Sequence, residues 1–208
     1  MRKIIAHGAE ALLIKHKNIL TKKRIKKNYR QYELDVKLRK GRTRHESKIL
    51  EKVSKIINVP SVRKVSSTEI EMDFIRGKLL SDLLDSLQLS KALKICKQLG
   101  CEIAALHNSN IIHGDLTTSN MIFSRNKVYF IDFGLGFHSN KIEDKAVDLH
   151  LLRQAFQARH FKRFKSYYNA ILGAYKKSSK QAKEILSRLE KVEQRGRYKR
   201  KKLAQQQQ

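Results

Sequence analysis

The sequence predicts an α+β protein of two lobes, a small strand-rich first lobe with one main helix and a mostly helical second lobe. Three observations carry this expectation. Apolar and polar residues alternate in short runs between Lys3 and Thr21 and again between Ser61 and Ile75. Beyond Leu79 the apolar residues recur at helical spacing instead, as in Ala92, Leu93, Cys96, Leu99, Gly100, Ile103 and Leu106. Arg76-Gly77 breaks the first pattern, which sets a first lobe at 1–75, a second at 76–194 and a basic tail at 195–208. A chain of 208 residues is long enough for such a unit to bury a core.

Apolar pairs flank His7-Gly8-Ala9, so a turn there joins two strands, and NILTKK reads as the next strand. Residues 15–48 carry fourteen Lys/Arg against three acids, and from Arg44 the stretch reads as a helix with Ile49, Leu50 and Val53 on one side. SVRKVSS and TEIEMDFI read as two strands joined by a polar turn. In the second lobe Ser90 is placed as the N-cap of a helix that holds Cys96 and Cys101. Cysteines five apart on a helix, with no His-Cys company, predict ordinary packing or surface positions. NIIHGDLTTSNMIF and KVYFIDFGLGF each join a strand-like apolar run to polar residues, and helices follow at 144–160, 163–176 and 180–194.

Charge narrows the function classes. Lys and Arg number 46 against 19 Asp and Glu, a formal net charge of +27, which predicts a polyanionic partner such as nucleic acid. No apolar stretch reaches the ~18–20 residues of a membrane span, and the charged opening has no signal-peptide core. Two cysteines make no disulfide framework. The expectation is a reduced, cytoplasmic protein without a membrane partner.

The chemistry-bearing constellation is His113-Gly114-Asp115-Leu116-Thr117-Thr118-Ser119-Asn120 followed by Asp132-Phe133-Gly134. A carboxylate, an amide five residues on and a second carboxylate after that are the parts phosphoryl transfer needs. Asp115 would be the base, and Asn120 and Asp132 the oxygen ligands of Mg2+ beside ATP. The first lobe would then supply a phosphate-pairing lysine and an acid to hold it. Lys22 and Lys23 lie on opposite faces of their strand, so alternation alone does not choose between them, and Glu46 is the only acid between Asp35 and Glu51. His113 reads as a brace for the catalytic loop, whereas the other histidines have no ligand spacing and read as surface or core residues.

With Lys22-x-Arg24-x-x-Lys27-x-Tyr29-Arg30, Arg42-Thr43-x-x-Glu46, Met72-x-x-Ile75-x-Gly77, HGDLTTSN, IDFGLG, Glu143-Asp144-Lys145-Ala146-Val147-Asp148-Leu149 and Arg195-Gly196-Arg197, the chain resembles a family. This is the small atypical serine/threonine kinase of the KEOPS complex (PRPK-type), related to the Rio kinases and expected here in an archaeal form. The resemblance implies a miniature bilobal protein-kinase-like fold with ATP and Mg2+ between the lobes. It selects Lys22, paired with Glu46, as the ATP-pairing lysine. It also places Gly8, Ala9, Glu10 and Ala11 over the nucleotide and makes Met72 to Ile75 the hinge beside adenine. Lys26 and Asn28 stand where the family often has proline and glycine, which bears on loop shape rather than chemistry.

Gly114 stands where ordinary protein kinases carry an arginine that reads a phosphorylated loop, and only residues 135–147 separate Gly134 from Asp148, the helix position expected to brace the catalytic loop. That leaves little room for a peptide-docking segment, and the expectation is ATPase-like or autophosphorylating behaviour. Residues 188–202 hold eight Lys/Arg and two acids, with Tyr198 interleaved, so Arg195, Arg197, Tyr198, Lys199, Arg200 and Lys201 are candidate nucleic-acid contacts. The resemblance makes that nucleic acid tRNA, whose adenosine 37 receives threonylcarbamoyl, and adds residues 15–48 as a second candidate contact. It implies two protein partners, the threonylcarbamoyl transferase subunit, to which some archaeal relatives are fused, and a small subunit on the first lobe. Two other readings compete: a non-catalytic tRNA-binding scaffold of the same assembly, and a small-molecule phosphotransferase, against which the retained Asp132-Phe133-Gly134 counts.

Overall fold

The computed structural model describes residues 2–205, with side chains described for 2–195. In chain order the elements are β1 (Lys3–His7), β2 (Ala11–His16), β3 (Ile19–Arg24), α1 (Tyr32–Val53), β4 (Val62–Val65), β5 (Glu69–Asp73), β6 (Lys78–Leu79) and α2 (Leu80–Leu83). A 3-10 turn at Leu84–Ser86 leads to α3 (Leu89–Asn108) and β7 (Ile111–Ile112), and a second at Thr118–Asn120 leads to β8 (Met121–Ser124) and β9 (Lys127–Phe130). Then come β10 (Phe137–His138), α4 (Ile142–Arg159), α5 (Phe164–Ser178) and α6 (Ala182–Gln205). The fold is α+β, strand-rich early and helical late, as the patterning predicts.

The chain divides into two compact units, Met1–Lys78 with Met121–Gly136, and Leu79–Asn120 with the chain from Phe137 onward. The first holds an antiparallel sheet in the order β1-β2-β3-β5-β4. Helix α1 packs on β4 and β5, turning Ile49, Leu50 and Val53 inward, while β5 buries Ile70 and Met72. The β8–β9 hairpin turns through Arg125 and Asn126 at φ 48 and 60, the two left-handed residues of a two-residue turn that matches strand twist. In the second unit α3 packs on α5 and α4 on α6. Gly100 makes the first contact possible, since a Cβ there would collide with the Ile171 carbonyl oxygen.

Four expectations differ from the structure. Helix α1 starts at Tyr32 rather than Arg44, because the inward residues of its first half are Asp35 and Thr43, which leave no apolar signal. Helix α3 starts at Leu89 behind Gln88, with Ser90 inside it. The chain bends at the end of the Leu84–Ser86 turn, and the Ala92 N–H already bonds Gln88 O at 3.0 Å. Residues 121–136 group with the first unit rather than with 76–194, because the Phe130 N–H bonds Asn58 O at 3.0 Å and Gly77 lets its backbone approach Phe123 more closely than a Cβ would permit. The last helix continues through residue 194 to Gln205, so the tail begins inside it.

Candidate active site

In the first unit, β3 is an inner strand whose Lys22 lies opposite Leu13 on β2 and Ile70 on β5. Successive side chains on a strand point to opposite faces, so Lys22 and Arg24 share a face and Lys23 takes the other. The inward helix residue Glu46, only 1% exposed, meets both cations. Lys22 Nζ donates to Glu46 Oε1 at 2.7 Å, and Arg24 Nη2 donates to Glu46 Oε2 at 2.7 Å. Lys23 instead pairs with Glu69 at 3.0 Å on the half-exposed face. Arg24 is the member that sequence reasoning missed; its signal was its place two residues from Lys22 on the same strand.

Lys22 Nζ also donates to Asp132 Oδ1 at 2.8 Å, and the Gly134 N–H reaches the same oxygen at 3.2 Å. Asp132 adopts φ 60, a left-handed conformation costing an ordinary residue about 1–3 kcal/mol, and its side chain is half exposed. A Cβ at Gly134 would stand 3.1 Å from Asp132 Oδ1, so glycine leaves the carboxylate room over the backbone amide.

The β1–β2 turn closes through the Gly8 N–H to Ala11 O at 2.9 Å. Ala9 is exposed and its carbonyl accepts from Lys27 Nζ, while Ala11 is buried. Glu10 takes Arg42 at 2.6 Å and Arg30 at 3.4 Å. Partial burial works to raise its pKa, but the two guanidinium groups prevail and hold it below the ordinary 4.5. Met72 is buried on β5 opposite Leu20, and Ile75 is half-buried just past the strand.

In the second unit the loop from His113 to Asn120 hangs on Asp148 of α4. The buried carboxylate accepts the His113 N–H at 2.9 Å, the Gly114 N–H at 3.0 Å and His107 Nε2 at 3.2 Å. A carboxylate only accepts, so His107 carries its proton on Nε2 and Nδ1 accepts from the Tyr175 hydroxyl at 2.8 Å. Burial keeps the Tyr175 phenol protonated well above its ordinary range. At the loop's other end, His160 donates from Nδ1 to Asp85 at 2.7 Å and accepts from Thr118 Oγ1 at 3.1 Å. Asn120 Nδ2 donates to the Asp115 carboxylate at 2.8 Å and to its carbonyl at 3.0 Å. That leaves Asn120 Oδ1 as the amide atom suited to a cation. Histidines 107 and 160 occupy core positions, as expected, but both also hold this loop.

The structure thus brings Lys22, Glu46 and Asp132 into contact in the first unit, and Asp115 and Asn120 in the second. Asn120 in the second unit and Asp132 in the first each offer a hard oxygen donor, the type of ligand that suits Mg2+. Among the described residues no three His, Cys, Asp or Glu side chains form a metal-binding group. Cys96 is buried, and burial pushes its thiol up to about 12; Cys101 is exposed. Arg195 pairs with Glu143 of α4 at 3.0 Å. The side chains of Arg197, Tyr198, Lys199, Arg200 and Lys201 lie outside the described residues. Among the described residues no helix is long and apolar enough to cross a membrane.

Known proteins resemble this chain over most of its length. A RIO domain matches residues 3–166, most of the chain, which defines a kinase-like protein of the RIO type. The KEOPS complex subunit Bud32 of Pyrococcus abyssi is 40% identical over 211 residues, covering 94% of this chain and 96% of that protein. The EKC/KEOPS complex subunit BUD32 of Enterocytozoon bieneusi is 42% identical over 178 residues, covering 79% of this chain and 87% of that one. A probable bifunctional tRNA threonylcarbamoyladenosine biosynthesis protein of Methanobrevibacter smithii is 39% identical over 203 residues, and there the match covers 94% of this chain but 36% of the relative. The chain belongs to the Bud32 family of RIO-domain proteins.

Proposed function

We propose that the chain is an ATP- and Mg2+-dependent atypical kinase/ATPase subunit of a KEOPS-type assembly, acting in threonylcarbamoyladenosine modification of tRNA. One observation carries the catalytic part: a lysine on an inner strand whose ammonium is shared by a buried helix glutamate and a left-handed aspartate. Mg2+–ATP, when bound, would supply the phosphoryl group and its charge neutralisation.

Lys22, freed from Asp132 by that charge, would hold phosphate oxygens while Glu46 and Arg24 fix its position. Asp132 and the Oδ1 of Asn120 would be the metal ligands. Asp115, oriented by Asn120, would accept a proton at its carboxylate from the attacking hydroxyl or water. The β1–β2 turn at Gly8, Ala9, Glu10 and Ala11 would cover the nucleotide, and Met72 and Ile75 would flank the adenine. Autophosphorylation on serine or threonine belongs to the same reading, as do the transferase subunit and a small subunit on the first unit as partners, with the basic tail touching tRNA in the cytoplasm.

The test is ATP hydrolysis with and without unmodified tRNA and the transferase subunit. Asp132→Ala and Lys22→Met are expected to lower turnover at least 100-fold while the fold persists. Undiminished turnover overturns the catalytic assignment. A scaffold-only role would instead leave tRNA modification intact in Asp115→Asn.

A further inference from the structure

The helix that carries Glu46 inward has an outer face with a different character. At 100° per residue, Lys37, Lys40, Arg44, Lys48 and Lys52 fall within an arc of about 120° centred opposite Glu46, and Lys55 continues it just past the helix end. All six are exposed, whereas Asp35, Thr43, Glu46, Ile49, Leu50 and Val53 form the buried side. From Lys37 to Lys52 the rise is about 22 Å, with a cation at nearly every turn of about 5.4 Å. Glu33 and Glu51, both exposed, fall in the same arc, one toward each end, so the six cations outnumber the acids among them three to one. So dense a row of like charge raises the energy of the isolated surface, and a row of phosphates removes that cost.

Two neighbouring features favour a nucleic acid over another polyanion. At the amino end of α1, Tyr29 and Tyr32 are 77% and 63% exposed, with the Arg30 guanidinium 5.2 Å from the Tyr29 ring and Lys26 Nζ 5.6 Å from the Tyr32 ring. Aromatic faces beside cations are platforms for unpaired bases. At the carboxyl end the stripe enters a groove of about 720 Å3 whose walls carry Lys52 and Lys55 against the single acid Glu51, with Ser54, Ser61, Ile56 and Val62.

We infer that the outer face of α1, from Tyr29 to Lys55, is an RNA-binding surface that grips the phosphate backbone along Lys37, Lys40, Arg44, Lys48 and Lys52 and stacks unpaired bases on Tyr29 and Tyr32. This deepens the RNA side of the proposed function, and it is tested without ATP so that it stands or falls separately from catalysis.

The full chain is titrated against a fluorescently labelled, unmodified tRNA transcript at several KCl concentrations, with heparin as the comparison polyanion. Lys37→Gln/Arg44→Gln/Lys48→Gln removes three phosphate contacts. It is expected to flatten the slope of log affinity against log salt by about 2–3 and to weaken binding about 100-fold at 0.1 M salt. A control triple on exposed lysines of the second unit, Lys162→Gln/Lys165→Gln/Lys177→Gln, is expected to change neither by a comparable amount. Equal losses in both triples, or none in the first, overturn the inference. Tyr29→Ala/Tyr32→Ala is expected to weaken tRNA binding roughly tenfold and leave heparin binding unchanged. Equal effects on both ligands would overturn the assignment to nucleic acid. Unchanged thermal midpoints establish that each variant is folded.

Discussion

Glu46 holds one negative charge almost out of water, and both of its oxygens are bound by cations of β3. Removing Arg24 leaves one oxygen with no replacement donor, so the cost is that of a lost charge-assisted hydrogen bond plus exposed charge in a poor solvent. Arg24→Met is expected to destabilise the protein by about 2 kcal/mol in urea unfolding. Combined with Glu46→Gln it should cost clearly less than the sum of the two single changes; simple additivity would mean the pair is not coupled. The same geometry explains what the residues alone could not decide. Lys22 and Lys23 are equivalent by alternation, and only the helix packed on one face of the sheet distinguishes them. Arg24 was one of fourteen cations between residues 15 and 48, and nothing local marked it as the second anchor of Glu46. Asp115, Asn120 and Asp132 stand out as candidates in the sequence because short apolar strands frame them, and the roles proposed for them await the turnover measurements above.

At the scale of elements, α1 shows why helix boundaries in a basic protein escape pattern reading. Its first turns are anchored by Asp35, which accepts the Lys27 N–H at 3.2 Å and Arg39 at 2.7 Å, so a polar residue does what an apolar one does elsewhere. Burial opposes ionisation of Asp35, but Arg39, the Lys27 N–H and Arg30 prevail and hold its pKa below the ordinary 3.8. A carboxyl with a depressed folded pKa contributes stability that is fully present above 3.8 and is lost as pH falls through the lower folded value. Asp35→Asn should therefore be less stable near neutrality and should show a flatter acid limb than the parent below that pH, read by circular dichroism. Parallel acid limbs would remove Asp35 from the account. Asp148 plays the corresponding part for the loop that carries Asp115. It gathers two backbone amides and a histidine at one carboxylate, joining α3 and α4 to the loop. Helix α4 itself was legible within two residues, since predicted 144–160 became Ile142–Arg159, because its start and its apolar positions are local. The part played by Asp148 was legible as well: it was expected at the helix position that braces the catalytic loop, and it accepts the His113 and Gly114 amides across some 35 residues of chain.

The whole molecule carries 46 basic against 19 acidic residues, and most of the ion pairs among the described residues are at least partly exposed. Such pairs contribute about 0–1 kcal/mol each, and salt weakens them. Repulsion among unpaired cations is more numerous and is weakened by salt as well. With a Debye length of about 10 Å at 0.1 M and 3 Å at 1 M, added salt first relieves repulsion between residues one or two helix turns apart, such as Lys37, Arg44 and Lys48. The Lys22–Glu46–Arg24 group, buried and in direct contact, is screened least. Raising KCl from 0.05 to 0.5 M is therefore expected to raise the thermal midpoint by several degrees while RNA affinity falls steeply. Chloride is the appropriate anion, because sulfate would stabilise through its effect on apolar burial as well. Calorimetry across this range decides the matter. A midpoint that falls with salt would mean that attractive pairs outweigh repulsion, and that the surplus of cations is already compensated within the fold rather than held for a polyanion.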